Sequence, residues 1–316
     1  GPANGSITDT DLIEFTGTVQ TGDYICRSYA RLSNGYVYLD VWDANTSQHL
    51  VRKFPVASDY GVGGRVCIAP SDTGLAIAYS TTTANTVKIV FFTTSTFSTG
   101  TPTIVNTVTV SNVVDVKTES DNRHMWDFVG SYVAINGSNY FAFAYLHATT
   151  GWINVNSYSQ TGAAGPNFDV LVTGKVTGNL RVTQNSSGYY VAYDLAAGGT
   201  GLCGFPTALT SSLFNTTILA TFTGTYTPRE YALAKIEAED AITAQLCVWI
   251  SGYDSATGNY ATQSSFFNLT TGAETSTSAR YTSYNHKAIS RGFVLDGKPC
   301  VAYSIKKCAV TGLTGG

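Results

Sequence analysis

Charge is scarce in this sequence. Asp, Glu, Lys and Arg make up 12% of its 316 residues, 18 basic against 21 acidic, about half the roughly 25% of an ordinary globular domain. That scarcity excludes a disordered chain, which needs many charges and few aromatics; here there are 20 Tyr, 15 Phe and 4 Trp. A net charge of −3 offers no electrostatic attraction to nucleic acid or an anionic membrane surface, so no nucleic-acid partner is expected. No apolar run approaches the roughly 18 residues that cross a bilayer, and no membrane insertion is expected. Methionine is nearly missing, Met125 being the single one. The Gly1-Pro2 opening reads as the remnant of a cleaved tag. On that reading residues 1–6 are remnant and linker, 7–310 a single domain, and 311–316 a tail.

Catalytic and metal-binding signatures are missing as well. No GxSxG, phosphate-loop, HExxH or EF-hand pattern occurs, and no cofactor is expected. Six cysteines (Cys26, Cys67, Cys203, Cys247, Cys300, Cys308) contain no CxxC, and His49, His124, His147 and His286 are isolated. Neither set has zinc-ligand spacing. Cys26, Cys67, Cys247 and Cys300 sit in apolar strand-like runs and read as buried free thiols. Gly198-Gly199-Thr200-Gly201 reads as a turn rather than a phosphate cradle, because no helix follows it.

What is present is alternation. β-branched and aromatic runs broken by Gly, Asn, Ser and Thr predict strands nearly throughout. Helical hints are confined to residues 231–241. One pattern, an apolar strand ending in Tyr or Trp, recurs at intervals of about 40–60 residues. It reads Tyr38-Leu39-Asp40-Val41-Trp42, Leu75-Ala76-Ile77-Ala78-Tyr79 and Phe141-Ala142-Phe143-Ala144-Tyr145. It returns as Tyr189-Tyr190-Val191-Ala192-Tyr193, Gln245-Leu246-Cys247-Val248-Trp249 and Pro299-Cys300-Val301-Ala302-Tyr303. Preceding strands are expected at 65–69, 132–135, 180–183 and 289–295, and following ones at 87–92, 152–158 and 261–267.

Repeating units of three to four antiparallel strands are how a propeller blade reads in sequence. In blade pattern the chain resembles six-bladed β-propellers over nearly its whole length. Ala78, Ala144, Ala192 and Ala302 beside the anchors suit the close approach of neighbouring blades. WD dipeptides, kelch motifs and the sialidase Ser-x-Asp-x-Gly-x-x-Trp box are missing. The expected fold is all-β, a six-bladed β-propeller closed by an N-terminal strand, residues 7–19 supplying the outer strand of the last blade. A double β-sandwich and a truncated seven-bladed ring are the competing architectures.

The few charges cluster. Residues 128–168 and 195–228 hold none, whereas 115–127 carry Asp115, Lys117, Glu119, Asp121, Arg123 and Asp127. Residues 229–240 carry Arg229, Glu230, Lys235, Glu237, Glu239 and Asp240. Placed at the starts of first strands, such residues would ring one mouth of a propeller channel. Arg27, Arg65, Arg123, Trp126, Asp127, Arg181, Glu237 and Arg291 form the candidate ligand-binding set. Arg suits carboxylates because its planar fork donates two parallel hydrogen bonds; the alternative is a set of structural ion pairs. Lys88 reads as an ordinary surface residue.

Three functions follow. The first is a non-enzymatic module that binds glycan or a host-surface molecule, with Trp126, Trp152, Tyr60 and Tyr132 as candidate sugar platforms. The second is a propeller used for assembly with other chains. The third is a glycoside hydrolase using two mouth carboxylates drawn from Glu119, Asp121, Asp127, Glu237, Glu239 and Asp240. Abundant Thr, Ser, Gly, Asn and Tyr with few Lys resemble phage tail, virion-associated and secreted adhesin proteins. That resemblance implies an extracellular or virion-associated protein.

Overall fold

The computed structural model describes residues 13–61, 63–114, 124–170, 176–185, 188–195, 200–212, 214–218, 226–236, 245–254, 259–277, 281–283, 286–289, 293–295, 298–300 and 303–305. Strands dominate. The first sheet is β1 (Ile13–Thr21), β2 (Tyr24–Arg31), β3 (Tyr36–Asp43) and β4 (His49–Ala57). The second is β5 (Val66–Pro70), β6 (Gly74–Ser80), β7 (Thr86–Thr93) and β8 (Thr103–Ser111). The third is β9 (Trp126–Gly130), β10 (Asn139–Leu146), β11 (Ile153–Ser159) and β12 (Ala164–Val170). The fourth is β13 (Val176–Asn185), β14 (Gly188–Leu195), β15 (Thr200–Pro206) and β16 (Phe214–Ile218). The fifth is β17 (Tyr226–Ile236), β18 (Gln245–Asp254), β19 (Asn259–Asn268) and β20 (Glu274–Thr277), with β21 (Tyr281–Ser283) also on β19. Then β22 (His286–Ile289) pairs with β25 (Tyr303–Ile305), and β23 (Phe293–Leu295) pairs with β24 (Lys298–Cys300).

Each four-stranded sheet is an antiparallel meander, and β1, β5, β9, β13 and β17 pack against one another in chain order. This is propeller architecture, each sheet a blade with its first strand innermost. The short strands β22, β23 and β24 pack beside β17, where the sequence assigns a sixth blade.

Packing explains the repeated strand. In the second to fifth blades it is the second strand, buried on both faces. In blades two to four its alternate large residues face the preceding blade, and its small ones, together with Tyr190, face the following blade. Leu75, Ile77 and Tyr79 join Leu39 and Val41 of the first blade, while Ala76 and Ala78 lie against Phe128, Phe141 and Phe143 of the third. Ala142 and Ala144 meet Leu180, Tyr189 and Val191 of the fourth blade, and Tyr190 and Ala192 meet Leu246 and Val248 of the fifth. Bulk on one side against Ala on the other lets twisted sheets interdigitate at crystalline density. Gly130 marks the tightest approach: a Cβ there would overlap the Pro70 carbonyl oxygen.

The structure corrects several expectations. Residues 13–19 belong to the first blade, where Val19 pairs with Cys26, and are not an outer strand of the last; residues 7–12 lie outside the described residues. The Tyr38–Trp42 pattern is consequently the third strand of its blade, because β3 is also buried on its Val37, Leu39 and Val41 side. Residues 132–135 form the turn after β9 rather than a strand, and the strand expected at 289–295 is divided between β22 and β23. The helical hints at 231–241 lie largely in strand β17. The described helix is a 3-10 turn, Thr94–Thr99, capped by Thr93.

Candidate functional site

Blade-linking loops and the turns between second and third strands share one end of the sheets, because all first strands run the same way. Asp127, the second residue of β9, lies at that end and is wholly buried. Its Oδ1 accepts from Arg65 Nη2 at 2.8 Å, and its Oδ2 accepts from the Val182 N–H at 2.9 Å. Arg65 stands just before β5 and Val182 on β13, so one carboxylate joins three consecutive blades. Arg65 also donates from Nη1 to the Trp126 carbonyl and lies 5.2 Å from the Trp126 ring centroid. Ser80 Oγ completes the cluster, accepting from the Arg65 N–H at 3.2 Å and from Trp126 Nε1 at 3.3 Å. A buried carboxylate is tolerated here because a guanidinium and a backbone donor both answer it.

Arg27 is elsewhere. It occupies β2, a second strand, because the first blade begins with β1. Its Nη2 lies 2.5 Å from Asp40 Oδ2, and its guanidinium lies 4.9 Å from the Trp42 ring. Asp40 Oδ1 accepts from the Lys53 N–H at 2.7 Å. His49 stacks on Trp42 at 4.5 Å, with its Nδ1 accepting from Arg52 Nε at 2.8 Å. Burial, with the Arg52 and Arg27 charges, holds the His49 imidazole below its ordinary range despite the Asp40 carboxylate.

Arg181 donates from Nη1 to the Leu180 carbonyl at 3.1 Å. The structure thus brings Arg65, Trp126 and Asp127 together with the backbone beside Arg181, and separates Arg27 from them. Arg123, Glu237 and Arg291 lie outside the described residues. Trp126 and Tyr60, read as sugar platforms, are buried in blade contacts, whereas Trp152 and Tyr132 are 37% and 54% exposed.

A second polar group at the same end was not foreseen. Asp59, in the loop between β4 and β5, accepts from Tyr79 Oη at 2.7 Å and from Lys88 Nζ at 2.7 Å. Lys88 is therefore an ion-pair partner rather than an ordinary surface residue, and both side chains remain about one third exposed, 34% and 35%. Burial would raise the Asp59 carboxyl, but the Lys88 and Tyr79 donors outweigh it and hold it below the usual carboxylate range. Burial and the Asp59 carboxylate push the Tyr79 phenol up. The neighbouring Tyr60 N–H donates to the Gly35 carbonyl at 2.9 Å. That bond sets the loop against the first-blade turn preceding Tyr36, which is 37% exposed and stacks on Tyr38 at 5.8 Å. The sequence signal for this group is Asp59 itself, an acid in a blade-linking loop two residues after β4. No cluster of metal-ligating side chains occurs among the described residues.

No protein-family model matches the chain, and neither does any curated protein. Solved structures do. One from a study of two prolyl endopeptidases superposes with a TM-score of 0.50 and 10% identity, covering 92% of this chain and 38% of that one. A Trypanosoma rangeli sialidase bound to the inhibitor DANA gives 0.46 and 8%, covering 94% and 53%. The WD40 domain of SCAP from fission yeast gives 0.43 and 8%, covering 82% and 67%. The chain thus spans well under half of the prolyl endopeptidase it matches. At such identities the likeness is one of fold, and the fold is a β-propeller.

Proposed function

We propose that this chain is a non-enzymatic binding propeller that recognises glycan on a host or cell surface, as part of a larger extracellular or virion-associated assembly. The observation that carries the reading is the rim formed by Tyr36, Asp59 and Lys88. An exposed aromatic face stacks on a sugar ring, while a part-exposed carboxylate and ammonium take its hydroxyls. Hydrolysis fits less well, since Asp127 is wholly buried and engaged by Arg65 and Val182, out of reach of a substrate. The other acids of the proposed catalytic pair lie outside the described residues.

A glycan array followed by titration of its best hit tests the proposal. Tyr36→Ala and Asp59→Asn are each expected to weaken binding by about tenfold or more, one polar or stacking contact's worth. Val133→Ser, at the opposite end of the blades and 68% exposed, should leave it unchanged. A blank array, or equal loss in all three variants, overturns the proposal.

A further inference from the structure

We propose that two copies of this chain associate through the outer edge of the second blade, β8 pairing antiparallel with its own copy. β8 ends its sheet, bonded to β7 on one side only. Outer strands are normally blunted against pairing by charge, proline, irregularity or shortness. The other described blades comply. β4 carries Arg52, Lys53 and Pro55 and has left-handed backbone at Lys53. β12 carries Pro166 and Asp169, β16 is 5 residues long, and β20 is 4 residues long with Glu274.

β8 has neither charge nor proline nor shortness, and its one irregularity is a bulge at Val105, where Phe91 and Phe92 pair with Asn106 and Ile104. Its nine residues, Thr-Ile-Val-Asn-Thr-Val-Thr-Val-Ser, are mostly β-branched, and Ile104 and Val105 are each 40% exposed. No charged residue occurs anywhere from 89 to 114. At mid-strand the Thr107 N–H is held by its neighbour's side chain, Asn106 Oδ1, at 2.8 Å, an acceptor that an arriving strand can replace.

Charge matching selects the occupant. A charged strand laid on this edge would lose hydration and gain no ion pair. β4, β12 and β20 of a second copy are charged, and β16 covers little more than half the length. A second β8 is uncharged, equally long and equally β-branched, so it matches on either side of Thr107, between the two copies' bulges. The pairing is isologous and closes on itself, which turns an open edge into a dimer instead of a fibre. Pairing centred on Thr107 sets it against its own copy and Asn106 against Val108.

Sedimentation velocity of the whole chain should show a monomer–dimer equilibrium across about a hundredfold concentration range. Thr107→Lys places two ammonium groups opposite each other and should raise the dissociation constant about tenfold or more, while the melting temperature measured at dilutions where both proteins are monomeric stays unchanged. Register is read by cysteine. Paired strands hold opposite Cα atoms about 4.5–5.5 Å apart, within disulfide reach. Thr107→Cys should therefore cross-link to a dimer, whereas Ser111→Cys, about 27 Å from its copy, should not. A chain that stays monomeric throughout, or cross-links no better at 107 than at 111, overturns the proposal. So does an edge that takes up an unrelated strand-forming peptide yet never a second copy.

Discussion

Arg65 of the second blade and Asp127 of the third form an ion pair at 2.8 Å in which the carboxylate has no exposure to water. Its second oxygen takes the Val182 N–H of the fourth blade. Such a group is costly to bury alone and tolerable only while its partners hold their places. The pair therefore ties the relative positions of three blades to one carboxyl group, and the scarce charge of this chain is partly spent on holding its sheets together.

Blade packing makes a directional prediction. Ala144 is fully buried on the side facing the fourth blade, so Ala144→Leu should destabilise by about 1–3 kcal/mol through overpacking. Phe143, on the opposite side of the same strand and fully buried, leaves a cavity when truncated, and Phe143→Ala should cost about 3–5 kcal/mol. Thermal unfolding of the two variants measures both.

Alkali should unfold the protein. Burial and then the Asp40 carboxylate push the Tyr29 phenol up to about 12, and burial pushes Tyr189 up to about 12. An ordinary tyrosine ionises near 10. In that window the unfolded chain has released protons that the folded one retains, so stability present below about pH 10 falls as pH rises towards 12. Tyrosinate absorbance should rise in step with loss of β-sheet circular dichroism. Ionisation complete before any loss of structure would contradict the burial of these rings.

Thiol chemistry checks the core independently. Cys26, Cys203 and Cys247 are buried and free, and burial raises all three thiols, Cys247 to about 12. The thiolate is the reactive form. Peptide mapping after alkylation near pH 8 should find these three unmodified in the folded protein and modified in denaturant.

Much of the blade pattern was legible because a strand buried on both faces must alternate large and small residues, as Phe141 to Tyr145 do. The same rule misplaced the first blade. Tyr38 to Trp42 obeys it while being a third strand, which moved Arg27 from an inner strand to a second one. Tyr132 to Ile135 has strand composition, yet a turn is placed there by tertiary context that composition does not carry. The candidate site was legible by residue type and not by partner. Arg27 and Asp40 meet only through the β2–β3 register, and Arg65 meets Asp127 only across two blades. Asp59 escapes a reading by charge clusters and Lys88 reads as ordinary surface, because neither belongs to a charge cluster along the chain.

A double-mutant cycle on Arg65 and Asp127, read by urea unfolding, tests most directly whether the mouth charges are a clamp between blades. Arg65→Met or Asp127→Asn alone should cost about 3–5 kcal/mol, because each strands the partner in a buried place. The double variant should lose less than the sum, with a coupling of about 1–3 kcal/mol. Additive losses, or single variants as stable as the parent, would contradict the account.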